Sequence, residues 1–94
     1  MADKSQESLY LQSLGDVRIR GLTTREVALL WRSALRSARG NKSAFNGMLL
    51  VGCLSLGISR PRLNRDEVEM FVKRHAKEAA LVAERIISLT MSVT

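Results

Sequence analysis

From residue 43 to 56 the chain is apolar nearly all the way round a helix. Ala44, Phe45, Met48, Leu49, Leu50, Val51, Cys53, Leu54 and Leu56 dominate this stretch, and inside it only Asn46 and Ser55 are polar. A helix with no polar face lies at the centre of its domain or beneath a partner. The other elements of a 94-residue chain are therefore expected to pack around it. Ser43 is placed to cap its start, and Gly57 to stop it, with Pro61 shortly beyond. Gly47, Gly52 and Gly57 recur five apart. An interior glycine costs a helix about 1 kcal/mol relative to alanine. The spacing marks either a close approach by a neighbouring helix or a helix near its limit of stability.

The preceding stretch, residues 22–40, reads as an amphipathic helix with opposed faces. Thr23 or Thr24 can cap its start, because a threonine hydroxyl accepts from the unpaired N–H groups of the first turn. Gly40 suits the left-handed stop at its end. At about 100° per residue, Val27, Leu30, Trp31, Ala34 and Ala38 fall on one side, where Trp31 is expected to anchor the core. Arg25, Arg32, Arg36 and Arg39 fall together on the other. This basic ridge is the sharpest functional signal in the sequence.

The remaining segments are read around these two. Residues 1–6 are polar and expected to fray. Leu9, Leu11 and Leu14, around Tyr10, suit a short helix or an extended arm. The alternation Val17-Arg18-Ile19-Arg20 suggests an extended link or a lone strand, which makes no sheet without another chain. From Asn64 to about Met91 one long helix is expected, with Asp66, Glu67 and Glu69 at its positive end. Its apolar face includes Val68, Phe71, Val72, Ala79, Val82, Ala83, Ile86 and Leu89. Met70 and Leu81 lie among polar residues and offer a second contact surface, such as a homodimer would use.

The expected fold is thus all-α. A single domain spans 1–94 as a small bundle of three main helices plus a short N-terminal element, with 1–21 an arm and 22–94 the helical core. Scarce aromatics, 4% of residues, leave that core to aliphatic side chains.

Several function classes are disfavoured. His75, the one histidine, falls on the apolar face of the last helix, where such a residue is usually structural. One cysteine and one histidine cannot build a protein-only zinc site, and no phosphate-cradling glycine loop occurs. Cys53 stands among apolar neighbours and reads as a buried, inert thiol. No catalytic residue, metal or cofactor is expected. The N-terminus lacks a signal-peptide pattern, and the apolar run 48–58 is shorter than the ~20 residues a membrane span needs. An intracellular, soluble protein of the cytoplasm, nucleoid or nucleus is the expectation.

Charge points to binding. The chain carries a formal +6, concentrated in residues 17–42 and again at Arg60, Arg62 and Arg65. Such a field attracts nucleic acid, anionic lipid or an acidic protein. Cys53, Gly57, Ile58 and Leu63 have the spacing of a turn flanked by helices, and the segment 53–63 resembles helix-turn-helix units of repressors and excisionases. That resemblance would put Arg60 and Arg62 at the start of a recognition helix.

The first expectation is non-catalytic binding of nucleic acid through its phosphate backbone. Arg25, Arg32, Arg36 and Arg39 would carry it, assisted by Arg18, Arg20, Lys42, Arg60 and Arg62. Arginine outnumbers lysine eleven to four, which suits bidentate phosphate contact. The low aromatic content favours a duplex, DNA or RNA, over a stacked single strand. The competing expectation is a helical protein-interaction module or adaptor whose arginines meet an acidic partner surface.

Overall fold

The computed structural model describes residues 6–92. The strands β1 (Gln6–Leu11) and β2 (Gly15–Arg20) come first, then the helices α1 (Thr24–Ala38) and α2 (Lys42–Gly57). A short strand β3 (Ile58–Arg60) follows, and the helices α3 (Arg65–Arg74) and α4 (Ala76–Ser92) complete the chain. The strands form one antiparallel sheet in the order β1-β2-β3. The fold is therefore mixed and predominantly helical, which corrects the all-α expectation.

The sheet arises because three short signals meet. In β1, Leu9 and Leu11 turn inward while Gln6, Ser8 and Tyr10 face solvent; in β2, Val17 and Ile19 are buried while Asp16 and Arg18 are exposed. Residues 12–14 and Gly15, at φ +73°, close the hairpin, and the register runs from Gln6 opposite Arg20 to Leu11 opposite Gly15. A left-handed φ of this kind costs a glycine little. The strand alternation expected around Val17 to Arg20 thus finds its partner within the chain. On the other side, Ile58 leaves the end of α2 in extended conformation and pairs with Ile19.

The apolar segment lies where its composition requires. α2 touches all three other helices and β3. Its cap is Asn41 rather than Ser43, the Asn41 Oδ1 accepting from the Ala44 N–H at 3.1 Å. Cys53 and Leu54 enter the core with Leu11, Val17, Ile19, Val68, Phe71, Val82 and Ile86. Two of its glycines mark close helix approach: a Cβ on Gly52 would run into Leu30 of α1, and one on Gly57 into Ile86 of α4. Gly47 faces open space.

The long C-terminal helix is two helices. Asn64, the expected start of the last helix, caps α3 through a reciprocal pair with Glu67: Oδ1 accepts from the Glu67 N–H at 2.8 Å, and the Glu67 Oε1 from the Asn64 N–H at 2.9 Å. The chain then bends at His75, with φ −132° and ψ 56°. The bend moves His75 off the apolar face to an exposed position, its ring 6.1 Å from that of Phe71. It also frees α4 to lie against β2 while α3 packs on α2. The Glu78 carboxylate, in the first turn of α4, accepts from the Gln12 N–H at 2.8 Å and from the Ser13 N–H and hydroxyl. Arg85 donates to both carboxylate oxygens of Glu7 on β1 at 2.6 Å. Two polar clamps thus hold the hairpin on α4. The expectation of a frayed 1–6 lies, apart from Gln6 in β1, outside the described residues.

The helix-turn-helix resemblance is not matched by the local structure. Residues 58–60 form a strand and α3 begins only at Arg65, so Arg60 sits on the sheet and Arg62 in the loop after it. Ile58 explains the difference: its side chain is buried on the inner sheet face, which holds the backbone extended.

Candidate binding surface

α1 begins with a capping box. Thr23 Oγ1 accepts from the Glu26 N–H at 3.1 Å, and Glu26 Oε1 accepts from the Thr23 N–H at 2.9 Å. Arg20, at the end of β2, donates to the same carboxylate from Nη1 at 2.9 Å and Nη2 at 2.6 Å. The guanidinium beside it pulls the Glu26 carboxyl from its ordinary 4.5 down to about 2. Among the nine basic residues singled out in the sequence, Arg20 is thus committed to an internal ion pair. The helix stops as its sequence suggests, with Arg39 at φ 49° and Gly40 at φ 85°.

Between these ends α1 packs chiefly on α2, through Leu30, Ala34 and Ala38. Neither buried alanine belongs to the central core, so α1 is an outer layer on α2. The opposite face carries Arg25, Arg32 and Arg36, and Arg39 follows at the left-handed cap; all four are exposed, and their side chains have no hydrogen bond or ion pair among the described residues. Lys42, exposed at the first position of α2, continues the positive end.

Arg18, Arg60 and Arg62 belong to another surface. Arg18 and Arg60 are cross-strand partners in the β2–β3 ladder, and the Ser59 hydroxyl donates to the Arg18 carbonyl at 3.1 Å. Arg60 and Arg62 flank Pro61 along a shallow cleft that also contains Asp16. The nine residues thus divide into the α1 ridge with Lys42, the sheet arginines, and the paired Arg20.

Trp31 corrects the expectation that it anchors the core. It is 52% exposed, because α2 covers only part of the apolar stripe of α1. The stripe spans more of the helix circumference than one neighbouring helix can bury, which leaves Leu35 55% and Val27 39% exposed as well. Trp31 meets the Phe45 ring of α2 edge to face, with centroids 5.0 Å apart. Leu29, 56% exposed, stands within the arginine face itself.

Beside this stripe runs an apolar groove of about 430 Å³. Leu49 and Cys53 of α2 floor it, Val27 and Leu30 of α1 form one wall, and Ile87 and Met91 of α4 the other. Ile87 is 51% exposed. Thr90, the only hydroxyl on its lining, is already engaged: its Oγ1 accepts from the Leu22 N–H and donates to the Ile86 carbonyl, both at 2.8 Å. Sequence reasoning missed this groove. It rests on the angle between α1 and α4 across α2, which no helical periodicity encodes.

Cys53, buried at the groove floor, has its thiol pushed up to about 11 by burial. No group of three or more His, Cys, Asp or Glu residues that could hold a metal ion occurs among the described residues. No helix among them is long and apolar enough to cross a membrane. Comparison with known protein families, curated proteins and solved structures finds no match.

Proposed function

We propose that this chain is a non-catalytic binding module that engages an acidic protein surface through α1. The observation that carries the reading is the pairing, on one helix and its cap, of four arginines whose side chains have no partner among the described residues with a row of half-exposed apolar side chains, Val27, Trp31 and Leu35. Protein interfaces are enriched in aromatic residues and arginine and depleted in lysine. A phosphate backbone uses the arginines and leaves Leu29 and Trp31 in water. An acidic protein surface uses both.

Nucleic acid is the second reading, favoured by the same arginines with Lys42 at the start of α2. Three guanidinium groups along α1 and a fourth at its cap can straddle phosphates of a DNA or RNA duplex without reading bases. Fluorescence anisotropy separates the two. The test uses a labelled glutamate-rich peptide, duplex DNA and duplex RNA, each at two salt concentrations, with wild type and with the Arg32→Glu, Arg36→Glu pair. The protein-module reading expects peptide binding that the double substitution abolishes and duplex binding no tighter than that. Duplex binding that dominates at physiological salt, and is lost in the same variant, transfers the function to nucleic acid.

A further inference from the structure

The arginine face and the apolar groove adjoin across α1. At about 100° per residue, Val27, Trp31 and Leu35 form one edge of the helix, and Arg32 and Arg25 follow within about a quarter turn beyond Leu35. Trp31 lies one turn from Val27, and its partner Phe45 one turn from Leu49. The groove lining therefore continues, without a charged residue, onto the Trp31–Phe45 pair. The far wall differs. Exposed Glu84 lies three residues from Ile87 on α4, so the groove has a strongly basic margin on one side and an acidic residue on the other.

We propose that this groove seats one amphipathic helix of an acidic partner protein, a reading that rests on the acidic-partner function above. The occupant's apolar stripe lies on Leu49, Ile87 and Val27, and its acidic edge faces Arg25 and Arg32. Charge complementarity selects this occupant. A second copy of a chain with a net charge of +6 brings like charge to the basic margin, whereas an acidic helix neutralises it. A helix laid in an apolar groove is anchored by residues at i, i+3 or i+4, and i+7, a spacing that suits an open trough walled by two helices and floored by a third. The asymmetry of the margins sets how the helix is rotated: acids toward α1, polar or basic residues toward Glu84.

The test uses Trp31, the single tryptophan of the chain, as the reporter. The probe is a helix-forming peptide of about 16 residues with leucine at i, i+3, i+4 and i+7 and glutamate beside the stripe. A scrambled peptide of the same composition has no stripe. The striped peptide is expected to bind at least about tenfold more tightly than the scramble and to shift Trp31 emission to the blue. Ile87→Asp, at a half-exposed groove position, is expected to lower its affinity to that of the scramble, with helical circular dichroism unchanged. Should Ile87→Asp unfold, Leu49→Gln serves in its place. Equal binding of striped and scrambled peptides overturns the groove assignment and leaves the acidic-partner reading standing. A striped peptide that does not bind overturns the assignment, and duplex binding without any peptide binding overturns both. Unchanged affinity in Ile87→Asp overturns the groove alone.

Discussion

Arg20 and Glu26 face each other as planar forks across the three-residue link between the sheet and α1, with Nη1 to Oε1 at 2.9 Å and Nη2 to Oε2 at 2.6 Å. The same carboxylate closes the cap of α1 by accepting from the Thr23 N–H. One acidic side chain therefore fixes both where the helix starts and how it leaves the sheet.

Glu26→Gln is expected to destabilise the protein by about 1–2 kcal/mol at pH 7, since it weakens a cap and a charge-assisted fork together. Because folding depresses the carboxyl pKa to about 2, its contribution is complete above 4.5 and fades as the pH falls toward 2. Urea unfolding of both proteins across that window should show the wild-type advantage shrinking with acid. A constant advantage over the same range contradicts the assignment.

The two kinds of glycine in α2 separate cleanly. Gly57→Ala forces a Cβ into Ile86 and is expected to cost about 1–3 kcal/mol as overpacking. Gly47→Ala meets open space in mid-helix and is expected to stabilise by about 0.5–1 kcal/mol. Denaturant midpoints moving in opposite directions are the readout.

Arg18 and Arg60 stand directly opposite each other in the β2–β3 ladder, and like charges so placed are unfavourable. Arg60→Ser should raise stability by about 0.2–1 kcal/mol at low salt, with the gain shrinking as salt is added. Thermal melts at two ionic strengths test it.

Trp31→Ala should cost about 1 kcal/mol, mainly the edge-to-face contact with Phe45, against the 3–5 kcal/mol of a core aromatic. Efficient acrylamide quenching of native Trp31 fluorescence should accompany this small loss. A protected tryptophan, or a loss of core size, means that α2 covers far more of α1 than the structure has it.

The legible parts of this fold were those governed by local chemistry. A threonine cap at the start of α1, the start of a helix at Asn64, a stop around Gly40 and the central place of the segment around Leu50 all followed from residue type and spacing. The β1–β2 hairpin was missed because only Val17 to Arg20 showed clear alternation, and β3 because it is three residues long and its pairing is non-local, with Ile58 reaching Ile19 only after two intervening helices. The bend at His75 carries neither proline nor glycine. The Glu78 carboxylate, three residues beyond it, holds the backbone of residues 12 and 13 and so ties the start of α4 to the hairpin, a contact that no local spacing encodes. Of the candidate site, the arginine ridge was visible in the sequence. The groove beside it was not, since amphipathicity shows that a face is apolar and does not show how much of it a neighbour covers.

The excursion of α1 and α2 between two paired strands has a kinetic consequence. The β2–β3 ladder closes the base of this excursion, and α2 is rooted in the core, whereas α1 is secured chiefly along α2 and at the Arg20–Glu26 fork. Local opening follows contact density. Amide protons across 24–38 should therefore exchange with solvent well before those of α2 and α4, at a free energy below that of global unfolding. The surface proposed for a partner thus lies on the segment expected to detach most readily, and occupancy of the proposed groove should register first as slowed exchange along α1.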